Sequence, residues 1–123
     1  MNNDWIDIPD SETSNWAILI DAVYRGDLQR LRVCPSCGAS NSVRFFYMRH
    51  RLLDPQLNPS ERGGFWIWCS ACKVFLHASC IVPPWWPDVR GVPYDQLVPE
   101  PKLLDDLWPI IASAIAHMNP SAT

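Results

Sequence analysis

The sequence predicts an α+β fold: a small three-stranded antiparallel sheet flanked by an N-terminal and a C-terminal helix. Three observations predict it. Two Cys-x-x-Cys pairs, Cys34-Pro35-Ser36-Cys37 and Cys69-Ser70-Ala71-Cys72, bracket the middle of the chain. Runs rich in β-branched and aromatic residues, Val43–Arg49 and Phe65–Trp68, lie between those pairs. Apolar residues recur at helical spacing near both ends.

The cysteines organise the rest. A Cys-x-x-Cys turn presents two thiolates from one tight loop, and two such loops facing each other make a closed tetrahedral site. Pro35 fixes φ after the first cysteine, and Gly38 follows the second where the backbone must turn sharply. The gap between the pairs exceeds the ~15–20 residues of the common spacing, which a longer hairpin accounts for. This is the zinc-ribbon pattern, with Cys34, Cys37, Cys69 and Cys72 as ligands of a structural Zn2+. A redox dithiol normally opens a helix in a βαβ unit, and no such unit is visible. Disulfides need an oxidising compartment. A second ligand set, Cys69, Cys72, His77 and Cys80, is spaced like a zinc knuckle. It would leave Cys34 and Cys37 without metal, although that turn carries its own Pro and Gly.

In chain order, residues 1–10 read as a loose acidic arm. A helix is predicted over 11–26, with Ser11 or Ser14 as its cap. Trp16, Leu19, Ile20, Val23 and Tyr24 form its apolar face, and Gly26 ends it. The ribbon is predicted over 28–82. It begins with an extended segment from Leu28 to Val33. Val43–Arg49 is its first strand, a loop over 52–64 carries Pro and Gly, Phe65–Trp68 returns, and Lys73–His77 is the third strand. A Pro/Trp-rich loop over 83–101 follows, because its prolines forbid a continuous helix or a central strand. The C-terminal helix is predicted over 102–118 on the stripe Leu103, Leu104, Leu107, Trp108, Ile111, Ile115 and Met118. Pro109 either kinks it or starts it. Both helices are expected on one face of the sheet, with Trp16 and Trp108 pointing inward.

Length and composition fit one domain spanning 1–123, with 48% apolar residues. The formal charge is −3, and a four-thiolate zinc site makes it more negative by about 2. Phosphate-backbone binding draws on clustered Lys and Arg, so this balance favours a basic protein partner instead. No signal peptide is evident at the N-terminus, and no apolar run reaches the ~18 residues of a membrane span. A reducing cytoplasm is the expected location.

Catalysis is not expected. A closed four-cysteine site offers no open position for water. No His-Glu-x-x-His, phosphate loop or Gly-x-Ser-x-Gly occurs. A basic-aromatic face for single-stranded nucleic acid is the alternative function, built from Arg30, Arg32, Arg44, Arg49, Arg51 and Arg62 with Phe46, Tyr47, Trp66 and Trp68. Protein binding rests on Trp85, Trp86 and Asp88 in the Pro-rich loop, and on Asp105 and Asp106 in the last helix. The paired indoles either anchor an interface or fold back on the ribbon.

The stretch Gly64-Phe65-Trp66-Ile67-Trp68-Cys69-Ser70-Ala71-Cys72-Lys73, continuing to Leu76-His77 and then Val82-Pro83-x-Trp85-Trp86, resembles small bacterial zinc-ribbon proteins of the toxin-immunity type. So does the helix that ends near Gly26-Asp27 and leads into Cys34-Pro35-Ser36-Cys37-Gly38. The likeness spans roughly residues 14–86. It implies a cytoplasmic protein that binds a cognate toxin and blocks it. It assigns no toxin-contacting residue.

Overall fold

The computed structural model describes residues 5–50, 62–89 and 101–116. Helix α1 (Thr13–Arg25) buries Trp16, Leu19, Ala22 and Val23, the face predicted from the sequence. Gly26 ends it in the left-handed region at φ 78°, and its amide reaches the Ala22 and Val23 carbonyls. The serine caps are not used. The chain enters through a 3-10 turn at Asp10–Glu12, where the Thr13 hydroxyl donates to the Asp10 carbonyl. The predicted extended segment after α1 is instead a second 3-10 turn, Leu28–Arg32, which buries Leu31. Only Val33 pairs in β fashion, with Ser40.

The sheet has four strands and is mixed, so the three-stranded antiparallel expectation is corrected. Strand β2 (Val43–Arg49) pairs antiparallel with β3 (Arg62–Cys69), and β3 with β4 (Val74–Ile81). Strand β1 (Ile6–Asp7) comes from the supposedly loose arm and pairs parallel with β4. The Ile6 and Ile8 amides donate to the Lys73 and Phe75 carbonyls, so the arm satisfies backbone groups that β4 would otherwise leave open. The order is β1-β4-β3-β2.

Two strands are longer than predicted. β3 starts at Arg62 rather than Phe65, and β4 runs on to Ile81 rather than His77. Gly63 is a strand residue for a steric reason: a Cβ there would collide with the Met48 carbonyl oxygen. Residues 52–61 of the predicted loop lie outside the described residues.

Strand alternation puts Val43, Phe45, Tyr47, Phe65, Ile67 and Cys69 on one face, and Arg44, Phe46, Met48, Trp66 and Trp68 on the other. On the first face, Tyr24 of α1 meets the rings of Phe65 and Trp86. On the second, Arg44 and Trp68 both donate to Asp105. Both faces are therefore covered: α1 and, through Trp108 on Phe45, the C-terminal segment meet the first, as expected, while Asp105 reaches the second. That is why the central strand β3 is buried without a break from Gly63 to Cys69.

The C-terminal helix is two helices, α2 (Pro101–Asp106) and α3 (Trp108–Ile115), separated at Leu107. Pro109 lies in the first turn of α3. It has no N–H to reach the carbonyl four residues back, and its ring would clash there, so one continuous helix cannot form. Residues 117–118 of the predicted helix lie outside the described residues. One core unites α1, the sheet, Trp86, Leu104, Ile111 and Ile115, with Trp108 packed against it.

Candidate metal centre

The two cysteine turns are built alike. In the first, the Gly38 amide donates to the Cys34 carbonyl at 2.9 Å, and Gly38 sits at φ 75°. In the second, the Lys73 amide donates to the Cys69 carbonyl at 2.9 Å, and Lys73 sits at φ 61°. A side chain in that region costs about 1–2 kcal/mol, so the second turn is held open against a local preference. Cys69 closes β3, and β4 begins just after Lys73. The first turn is fixed by the Cys34 amide on the Ala39 carbonyl and the Asn41 amide on the Arg32 carbonyl. The Ser70 amide joins the two turns by donating to the Ser42 carbonyl at 2.9 Å.

All four Sγ atoms of Cys34, Cys37, Cys69 and Cys72 lie within 4.8 Å of one another. Cys34 and Cys72 are 3.9 Å apart, and Cys37 and Cys69 3.8 Å. A regular tetrahedron with metal–sulfur bonds of about 2.3 Å has edges of about 3.8 Å. The separations far exceed a disulfide bond, and all five cysteines are free. The donors, number and spacing thus suit a metal ion of zinc's preferences.

Backbone amides face two of the four sulfurs, but only Cys69 is shifted toward its thiolate. Cys34 Sγ accepts the amides of Ser36 and Cys37 at 3.3 and 3.4 Å. Cys69 Sγ accepts the amides of Ala71 and Cys72 at 3.3 and 3.5 Å, and lies 3.2 Å from the Ser42 hydroxyl. Burial pushes the Cys69 thiol up, but the Ser42 hydroxyl and the two amides together outweigh it and bring it to about 7. Burial raises Cys34, against the pull of its two amides. Burial and then the neighbouring sulfurs of Cys69 and Cys37 raise Cys72. Cys34 and Cys69 are buried, whereas Cys37 is exposed.

A second layer ties the first turn to α1. The Trp16 indole N–H donates to the Ser36 hydroxyl at 2.9 Å, and that hydroxyl donates to the Glu12 carboxylate. Neither Ser36 nor Ser42 stands out in the sequence as a supporting residue. Only the position of Ser36 inside a Cys-x-x-Cys turn could have marked it.

No family model, curated protein or solved structure matches the chain. The assignment of its other candidate residues follows from their contacts alone. His77 and Cys80 stand outside the four-thiol group. His77 stacks on Trp66 at 4.5 Å between ring centroids, and burial lowers its pKa. Cys80 lies beside Tyr24, and burial raises its pKa.

Of the five residues singled out for partner binding, three have internal roles. Trp86 is 1% exposed and packs between Tyr24 and Tyr47. Asp88 pairs with buried Arg49, whose guanidinium also donates to the Pro83 and Trp86 carbonyls. Asp105 accepts from Arg44 and Trp68. Trp85 is half-buried, edge-on to Trp86. Asp106 is exposed and paired with Lys102.

The basic-aromatic face of the alternative reading does not form among the described residues. Phe46, Tyr47, Trp66 and Trp68 are all buried, and Arg44 and Arg49 are both paired inward. Arg51 lies outside the described residues.

Proposed function

We propose that this chain is a non-catalytic zinc protein that binds and neutralises a partner protein, acting as an immunity factor against a cognate bacterial toxin. The observation that carries the proposal is the closed group of four thiols within 4.8 Å. Four protein sulfurs fill a tetrahedral ion and leave no position for substrate or water, so the metal's work is structural. The immunity role is supported by the sequence likeness over residues 14–86, and the chain's formal charge of −3 suits a basic partner.

The outer edge of β4 is the surface best suited to that partner. The Lys73 and Phe75 carbonyls point toward β1. By alternation, His77 and Ser79 turn their backbone groups the same way, past the end of β1. Both residues are exposed, and no strand among the described residues pairs with that side of them. Ile6 and Ile81, 55% and 54% exposed, stand at either end of this edge. An incoming strand would gain main-chain hydrogen bonds there and apolar contacts at both ends.

Two measurements test the proposal. Metal analysis of the purified chain should give one zinc per molecule, lost in Cys34→Ser and Cys69→Ser and kept in Cys80→Ser. Loss of zinc from Cys80→Ser with retention in Cys34→Ser would transfer the site to the other ligand set. Co-purification from the host with a tagged chain should then recover one stoichiometric protein. Ser79→Pro should abolish its capture without loss of zinc, because that amide faces away from β3. Recovery of nucleic acid released by salt would replace the proposal with the nucleic-acid reading.

A further inference from the structure

A cavity of about 310 Å3 lies between the Leu28–Arg32 turn, the start of β2 and helix α3. Leu28, Leu31, Val43, Phe45, Trp108 and Ile115 supply its apolar walls. The metal centre and the β4 edge use none of these residues. Phe45 and Trp108 meet at 6.5 Å and 58°, giving the cavity an angled aromatic wall. Two polar residues, Arg32 and Asn41, also line it, and both are exposed.

The state of Arg32 decides what such a cavity would take. Arg30, two residues earlier, is paired with Asp27, and Arg44 is paired with Asp105. Arg32 makes no ion pair among the described residues, so its charge is available at the mouth of an apolar space. Asn41 is held beside it: its amide donates to the Arg32 carbonyl at 2.8 Å, and its backbone lies at φ 58°. The Asn41 carboxamide offers a second donor on the lining of the same cavity. A group with an apolar body and an anionic head meets both requirements, since a carboxylate takes charge-assisted hydrogen bonds from Arg. At roughly 30 Å3 for each water-sized group, the cavity holds on the order of ten non-hydrogen atoms.

We infer that this cavity binds a small apolar carboxylate, its chain or ring against Phe45 and Trp108 and its head group on Arg32 and Asn41. The same chemistry is carried by a free alkanoic acid and by the C-terminus of a peptide ending in Leu.

The test is an NMR titration of the zinc-loaded full chain with octanoate, with octanamide as a neutral match of equal size, and with Gly-Gly-Leu as free acid and as amide. Octanoate should give saturable shifts at the Trp108 indole and the Asn41 amide, binding about tenfold more tightly than octanamide. Arg32→Gln should bring that ratio close to one and leave octanamide binding unchanged. Ala112→Phe, which narrows the cavity from α3, should abolish both. If it disturbs the fold, the Arg32→Gln ratio decides alone. Shifts from Gly-Gly-Leu acid without shifts from octanoate would identify a chain terminus as the natural source. Equal affinity for octanoate and octanamide, an octanoate preference that survives Arg32→Gln, or no saturable shift from any carboxylate would overturn the inference.

Discussion

The Ser42 hydroxyl is the residue-scale feature that most distinguishes one cysteine from its neighbours. It lies 3.2 Å from Cys69 Sγ and, with two amides, holds that thiol at about 7 against the effect of burial. Removing it takes a donor from a buried thiolate and adds nothing in return. Ser42→Ala should therefore weaken zinc binding by about tenfold or more, the scale seen when support to a metal ligand is lost. Competition with a chromogenic chelator measures it, and an unchanged affinity would assign Ser42 to packing only. The four ligands themselves were legible, because paired thiols on a short loop are a local pattern. Ser42 was not, because its bond depends on β2 and β3 pairing Val43 with Cys69. The same holds for Trp86. Its neighbours Pro83, Pro84 and Pro87 mark a loop, but nothing local says that the indole turns in between Tyr24 and Tyr47.

At the scale of elements, the strongest joint is the one between β2 and the 83–89 segment. Arg49 is buried, pairs with Asp88 and caps the Pro83 and Trp86 carbonyls. Replacing it with Met keeps the bulk but leaves those three acceptors without their cation. Arg49→Met should cost about 3 kcal/mol, read as a lower urea midpoint, and the emission of Trp86 should shift to the red as its segment loosens. A loss below about 1 kcal/mol would mean that Trp86 packing alone holds the segment. The pairing of β2 with β3 has its own weak point at Gly63, where a Cβ would run into the Met48 carbonyl and lie 2.9 Å from Val82. Backbone cannot yield as a side-chain tip does. Gly63→Ala should thus destabilise by about 3 kcal/mol, whereas a near-neutral result would show that the strands separate easily there. These elements were unevenly readable. α1 and the β2–β3 pair followed from periodicity and β-rich runs. β1 did not, since a two-residue exposed strand carries no alternation to read. The break between α2 and α3 was half visible: Pro109 marked a discontinuity, but the offset to Leu107 follows from where a proline fits in a first turn.

For the whole molecule, the question is whether the metal holds the fold or one end of it. The strand register sets the geometry: Cys69 pairs with Val43 at one end of β3, and Gly63 with Arg49 at the other. The strand between Gly63 and Cys69 places those ends about 20 Å apart. The thiols and the Glu12–Ser36–Trp16 chain lie at the first end. The Tyr24, Tyr47, Phe65 and Trp86 rings and the Arg49–Asp88 pair lie toward the second. Apolar burial with both sheet faces covered does not need the ion, unlike a bare ribbon with little core. Zinc removal should therefore release the ends of the two turns and spare the aromatic core. Hydrogen exchange should lose protection over 34–42 and 69–73 and keep it over 45–48 and 64–67, and simultaneous loss everywhere would show that the metal holds the whole fold. Proton competition governs when this happens. Burial raises the Cys34 and Cys72 thiols in the metal-free chain, so zinc must displace at least their two protons to bind. Each displaced proton makes affinity fall tenfold per unit as pH drops below the thiol value. Those two alone give a fall of at least about a hundredfold per pH unit at neutral pH and below, with Cys69 adding its proton once pH falls through about 7. Chelator competition at pH 8, 7 and 6 (about one unit apart) measures that slope, and a tenfold slope or less would mean that the cluster is already ionised before the metal arrives.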